Sequence, residues 1–220
     1  MIRREGIAMV DVNAFDAVQA GLNCDHPEVW LFLLRALSKG QPVSRKSIAE
    51  ALAMSLPDVE VALGTFADTV YDDNGDIVAC GLSLLPTPHS FKVCGKELYT
   101  WCALDALMYP RALDQVVQVE SRCPVTGSRV CLTVGPTGVS YVSPAEVVLS
   151  MVIPGKKGGC CNVRSSFCSG VHFISSEEAA ATWMSQHPDA FILSVPKAWQ
   201  LGNTVVQRRL EGAAGVTGHD

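Results

Sequence analysis

In the stretch Tyr99-Thr100-Trp101-Cys102-Ala103-Leu104-Asp105-Ala106-Leu107, a thiol and a carboxyl stand three residues apart within an apolar run. If the run is helical, Cys102 and Asp105 share a face. A nucleophile or soft-metal ligand then lies within reach of a proton donor, a pairing that suits several chemistries. Downstream, Arg164-Ser165-Ser166-Phe167-Cys168-Ser169-Gly170-Val171-His172-Phe173 sets another cysteine just before an apolar strand. Side chains at such a loop–strand junction often face a cleft.

The chain has nine cysteines: Cys24, Cys80, Cys94, Cys102, Cys123, Cys131, Cys160, Cys161 and Cys168. The amino terminus has Arg3 and Arg4 followed at once by Glu5, and no uninterrupted apolar segment, so no signal peptide is expected. Val142 to Ile153 is too short to span a bilayer and carries Pro144 and Glu146. The chain therefore reads as cytosolic, where thiols stay reduced. An odd number of irregularly spaced cysteines then argues for metal binding, catalysis or plain burial rather than a disulfide framework. Cys123 and Cys131 flank the turn of a hairpin and read as small apolar residues on sheet faces, as do Cys24, Cys80 and Cys94. Cys160-Cys161 with Cys168 and His172 could suggest zinc, but the spacing is not that of the tight cysteine pairs of structural zinc sites. His172 alone reads as a satisfied strand histidine. There is no Ser/His/Asp elbow, P-loop or Gly-x-Gly-x-x-Gly motif, which disfavours hydrolases and nucleotide-dependent enzymes.

The elements that must position these groups fall into two sets. A short helix is expected around Asn13 to Ala20. A strong helix follows from Glu28 to Leu37, with Pro27 in its first turn and Gly40 and Pro42 beyond it. Ser44 caps a helix over Arg45 to Met54, with Ile48, Ala51 and Leu52 apolar, and Pro57 opens another over Asp58 to Ala67, with Val59, Ala62, Leu63 and Phe66 on one face. Asn74-Gly75 between apolar runs is a hairpin signal. Helices followed by a hairpin outline a winged helix. Its second helix, however, carries Asp58 and Glu60 and no Lys or Arg, whereas DNA phosphates demand positive charge. A packing module fits better than a DNA reader.

Leu85-Pro86-Thr87-Pro88 marks a link between domains at 1–85 and 86–220. Beyond it, strands are expected over Ser90 to Val93, near Leu98, and over Val116 to Glu120, Arg129 to Val134, Glu146 to Ile153, Val171 to Ile174 and Ile192 to Val195. Helices are expected over Trp101 to Met108 (stopping at Pro110), Glu177 to Gln186 and Lys197 to Leu210. Pro154 to Gly159 reads as a mobile loop and Glu211 to Asp220 as a loose tail. The fold class is α+β: a helical, winged-helix-like N-terminal domain, then a mixed α/β domain with a mainly antiparallel sheet. Apolar residues make up 48% and charged residues 18%, so a packed core is affordable, and the net charge of −5 disfavours nucleic-acid and membrane partners.

The sequence resembles the organomercurial lyase (alkylmercury lyase) family of bacterial mercury resistance, from about Leu34 to about Gly202. The resemblance rests on Arg35 to Arg45, Tyr71 to Ile77, Leu98 to Asp105, Arg164 to Cys168 and Val171 to Phe173. The Trp-Cys-Ala-Leu-Asp stretch together with the later Ser-Phe-Cys is its most specific part. It implies cleavage of a carbon–mercury bond by protonolysis, with Cys102 and Cys168 as catalytic thiols that hold the mercury and Asp105 as catalytic acid and third contact to the metal. It also implies a structural role for Cys123, no tightly bound cofactor, a free thiol to release Hg(II), and hand-off of that product to a mercuric reductase. Where the family often has a second cysteine after the catalytic one, this chain has Ser169. Cys160 and Cys161 lie in the loop ahead of that motif, where they could collect substrate or pass on product.

The chemistry agrees with that resemblance. Mercury is soft and prefers thiolate. Two thiolates on mercury push electron density onto carbon, and a nearby acid can protonate it. Burial against Trp101 and Leu104 would raise the Asp105 pKa, or an ionised Asp105 could take a thiol proton and deliver it. Two competing readings are a winged-helix regulator responsive to mercury or arsenic, and a thiol protein that binds Hg(II) without cleaving anything.

Overall fold

A computed structural model of the chain describes residues 12–66, 68–153 and 163–216. The N-terminal third folds as the pattern predicts, with adjusted ends. Helix α1 spans Val12–Gly21 and α2 spans Pro27–Leu37. Pro27 is tolerated because a first-turn N–H has no intrahelical acceptor. Val29, Trp30, Leu33, Leu34 and Leu37 recur at helical spacing and are buried. Each large apolar side chain so buried stabilises the fold by about 1.5–3 kcal/mol.

Ser44 caps α3 (Arg45–Leu52) by accepting the Ser47 N–H at 3.1 Å. That helix stops short of Met54, at a left-handed Ala53, and buries Ile48 and Ala49 while Ala51 is exposed. Helix α4 (Leu56–Gly64) starts one residue before Pro57, capped by Ser55, and ends well before the expected limit. Phe66 lies past its end, and Ala67 falls outside the described residues. Both acids of α4 are engaged locally: Asp58 pairs with Ser55 at the cap, and Glu60 with Arg45.

The hairpin follows as β1 (Val70–Tyr71) and β2 (Ile77–Cys80). Asp72 Oδ1 accepts the N–H groups of Asn74 and Asp76, each at 2.9 Å, and Gly75 takes the left-handed φ of +80° that the turn requires. The further strands are β3 (Leu82–Ser83), β4 (His89–Val93), β5 (Lys96–Thr100), β6 (Val117–Arg122), β7 (Arg129–Gly135), β8 (Gly138–Ser143), β9 (Val148–Val152), β10 (Phe173–Ile174) and β11 (Ala190–Ser194). They form an eight-stranded sheet, β1-β2-β3-β5-β4-β6-β7-β8, and a three-stranded sheet, β10-β9-β11. Every pairing among these strands is antiparallel. Because β3 pairs with β5, the larger sheet continues across residues 85 and 86.

Three departures from expectation stand out. Strand β8 is unexpected: its burial pattern is too uniform to alternate, and only the Gly135-Pro136-Thr137-Gly138 turn hints at it. Helix α5 (Ala103–Leu113) begins two residues later than expected and runs through Pro110. Its burial of Leu107, Met108, Tyr109 and Ala112 offsets the cost of about 3 kcal/mol for an internal proline. The final helix, α8, spans Val195–Val216, so residues 211–216 continue it rather than forming a loose tail; residues 217–220 lie outside the described part. Between them, α6 (Val163–Ser166), a 3-10 turn (Cys168–Gly170) and α7 (Glu177–Gln186, capped by Ser176) complete the chain. Among the described residues, no helix is long and apolar enough to cross a membrane.

Candidate active site

Cys102 and Asp105 meet through the start of α5 rather than through a shared helical face. Cys102 is the N-cap residue and Asp105 occupies the third helical position, so the two form a capping box in which a thiol replaces the usual hydroxyl. The Asp105 carboxylate accepts the Cys102 N–H at 3.3 Å. The backbone around them is pinned on both sides. The Trp101 N–H bonds the Gly81 carbonyl at 3.1 Å, and the Thr100 hydroxyl donates to the Cys102 carbonyl at 3.0 Å.

Cys168 arrives from the opposite direction. It opens the 3-10 turn, which closes when the Val171 N–H bonds the Cys168 carbonyl at 3.2 Å. The Val171 carbonyl then accepts the Ala103 N–H, also at 3.2 Å, so one backbone bond ties the Cys168 turn to the first residue of α5. Ser150 steadies the turn by donating to Gly170 O at 2.9 Å and accepting from His172 N at 3.0 Å. Arg164 lies 5.5 Å above the Trp101 ring, and its N–H bonds Asp68 at 2.8 Å.

As a result, Cys102 Sγ, an Asp105 carboxylate oxygen and Cys168 Sγ lie within 4.8 Å of one another. Among the described residues this is the only grouping of three or more His, Cys, Asp or Glu side chains placed to hold one metal ion. Cys102 is fully buried, while Cys168 and Asp105 line a cavity whose apolar walls include Trp101, Leu104, Met108 and Phe167. The α1–α2 loop contributes Leu22 and Cys24 to the same cavity, α2 contributes Trp30, and α8 contributes Arg209.

The electrostatics follow from that enclosure. Burial pushes the Asp105 pKa up to about 6, against the hydrogen bonds of Tyr109 and Cys102 and the charge of Arg209. Burial pushes the Cys102 thiol well up, reinforced by Cys168 and Asp105. For Cys168 the hydrogen bond with Cys102 pulls downward, but burial and the Asp105 charge outweigh it. Both thiols therefore carry their protons at neutral pH, beside a carboxyl poised to exchange one.

The remaining sequence candidates lie elsewhere. His172 Nε2 contacts the Ser169 carbonyl at 2.8 Å, and its ring packs against Trp183, so it is not a ligand beside Cys168. The exposed Ser169 hydroxyl donates to Ser165 O at 2.7 Å. Cys123 is buried in a separate small cluster with Val148 and Ile174. Its pKa falls to about 7, because hydrogen bonds from Ser175 and Thr126 outweigh burial. Cys94 does not sit on a buried sheet face: it is exposed at the β4–β5 turn, with φ of +47°. Cys131 is half-buried on β7. Cys24 and Cys80, expected as inert apolar residues, face the cavity. Cys160 and Cys161 lie outside the described residues, as does the Gly/Lys loop that carries them. Sequence reasoning missed Tyr109 and Arg209. Tyr109 is four residues after Asp105 on α5, a spacing that could have flagged it; Arg209 gives no such signal.

Comparison with known proteins points one way. A sequence model of the alkylmercury lyase family matches residues 82–207, and one of the helix-turn-helix domain of alkylmercury lyase matches residues 17–81. The chain is 41% identical over 192 residues to an alkylmercury lyase of Streptomyces lividans, covering 87% of this chain and 88% of that one. It is 43% identical over 175 residues to one from Staphylococcus epidermidis, covering 79% and 80%. A solved structure described as the mercury-bound form of MerB2 shares the fold, with a TM-score of 0.73 at 24% identity, over 90% of this chain and 97% of that one.

Proposed function

The chain belongs to the alkylmercury lyase family, and from that premise we propose that it cleaves the carbon–mercury bond of organomercurials by protonolysis, with Cys102, Asp105 and Cys168 as the reacting groups. The observation that carries this reading is the convergence of two sulfurs and one carboxylate within 4.8 Å, at an apolar cavity.

The substrate enters as an organomercurial bound to a solution thiol. Its organic group occupies the apolar walls, and its mercury meets Cys168, which lines the cavity. As mercury bonds to one protein sulfur, that thiol's proton passes to Asp105. Burial raises this carboxyl to about 6, which brings it close enough to neutrality both to accept a thiol proton and to give it up. The second thiol then joins the metal and the solution thiol leaves with a proton. Two sulfurs on mercury raise the electron density on carbon, and Asp105 delivers its proton there. The sum balances: the organomercury thiolate and two protein thiols give a hydrocarbon, a free thiol and Hg(II) on Cys102 and Cys168. Asp105 ends as it began. The apolar walls limit water at the reacting carbon, which keeps the acid's proton directed there.

Free thiol removes Hg(II) from the two cysteines, and a mercuric reductase takes it onward. The reaction runs in the cytoplasm, where thiols stay reduced. The test is release of benzene from phenylmercury or methane from methylmercury. Stoichiometric hydrocarbon supports the lyase, whereas Hg(II) uptake without hydrocarbon leaves only a thiol protein.

A further inference from the structure

Two more thiols face the cavity that holds Cys168 and Asp105, and the mechanism uses neither. Cys80 is the last residue of β2 and is 6% exposed. The next residue, Gly81, turns with φ of +76° and accepts the Trp101 N–H at 3.1 Å. Cys80 is therefore fixed by backbone to the residue before Cys102. Cys24 lies between α1 and α2 and is half-buried. Its loop is held by Arg209, which donates to Leu22 O at 2.8 Å while lying 4.6 Å over the Trp30 ring.

We propose that Cys24 and Cys80 form a second thiol station for Hg(II), in the same cavity as the reacting cysteines. The ligand class is a thiophilic, two-coordinate dication. Burial pushes Cys80 up to about 12, with Thr69 pulling against it and Cys24 adding to the rise, so it stays a neutral thiol at physiological pH. A hard cation cannot displace that proton, and a soft one that bonds sulfur strongly can.

The station's role as a product relay rests on the lyase reading; its ability to bind Hg(II) does not. In the relay, a Cys80–mercury bond forms as the Cys168–mercury bond breaks, and the Cys80 proton passes to Cys168. Cys24 then exchanges with Cys102 in the same way. Two S–H and two S–Hg bonds are exchanged, and nothing is oxidised or reduced. The product moves to the half-buried thiol, where a solution thiol can reach it, and the reacting pair is left protonated for another cycle.

The binding test uses inorganic Hg(II) and the Cys102→Ser/Cys168→Ser variant, which cannot hold the metal at the reacting pair. One equivalent is added with excess monothiol to strip singly held mercury. The rate of Cys24 alkylation is read by peptide mass spectrometry, with the exposed Cys94 as internal reference. The proposal expects Hg(II) to slow Cys24 labelling about 10-fold or more, leave Cys94 unchanged, and lose the effect when Cys80→Ala is added. Unchanged Cys24 labelling, or protection that survives Cys80→Ala, overturns it. Should Cys80→Ala fold poorly by circular dichroism, Cys24→Ser supplies the second arm: mercury retained per chain falls about 10-fold if the station exists and stays constant if it does not. Wild-type hydrocarbon release is measured in parallel, so failure of the lyase reading shows there and not in these arms.

Discussion

Enclosing Asp105 among Leu104, Met108 and Tyr109 has consequences for stability as well as reactivity. Its carboxyl moves from 3.8 to about 6, so the folded chain holds that proton more tightly than the unfolded chain does. Asp105 costs the fold nothing below about pH 3.8; the cost builds as pH rises and is complete above about 6. Asp105→Asn is therefore expected to be more stable than wild type at pH 8, on the order of 1–3 kcal/mol, with the gain gone near pH 4; chemical denaturation at the two pH values reads this. The same variant should lose about 10²–10⁴-fold in hydrocarbon release, the usual worth of a proton-transfer group. Tyr109 tunes this acid. Its hydrogen bond draws the Asp105 pKa down, so Tyr109→Phe should move the rising limb of the pH–rate profile to higher pH. A limb that stays in place would mean that Tyr109 only fills space.

At the scale of elements, the site depends on close approach. A Cβ added at Gly202 on α8 would stand 2.8 Å from Met108 Cβ on α5, one turn from Asp105. Gly202→Val must push the helices apart, which typically costs about 1–3 kcal/mol, and it should lower both the melting temperature and the cleavage rate. Gly81 is doubly constrained, by its positive φ and by the Tyr109 hydroxyl, 2.1 Å from where a Cβ would stand. Much of this level was legible in the sequence. Proline, glycine and serine punctuation placed α2, α3 and α4, and Asn74-Gly75 placed the first hairpin. Element ends were less legible: burial of Leu107, Met108, Tyr109 and Ala112 carries α5 through Pro110, whereas α8 continues past Leu210 although only Ala213 of residues 211–215 is buried. The approach of Cys102 to Cys168 could not be read from spacing at all. It arises from tertiary contacts, among them the backbone bond between Ala103 and Val171, and only the family resemblance paired the two thiols in advance.

Across the whole molecule, the cavity joins both ends of the chain. Residues from the α1–α2 loop, from α2 and from α8 close over a pair of cysteines set in the sheet-rich part. The division at 85/86 stays a proposal about modules. Pairing of β3 with β5 and the shared cavity lead us to expect one cooperative unfolding transition, with far- and near-ultraviolet circular dichroism coincident. The helix-turn-helix part works here as a wall. With its α4 acids engaged at a cap and in an ion pair, and a net charge of −5, the protein should cause no shift of duplex DNA at physiological salt.

Protonolysis at this site requires two sulfurs acting together on one mercury. Single-turnover benzene release from phenylmercury by Cys168→Ala, set beside wild type and Cys102→Ala, tests this directly. Loss of carbon–mercury cleavage in both variants, with the fold intact by circular dichroism, is the predicted result. Full activity in Cys168→Ala would contradict it.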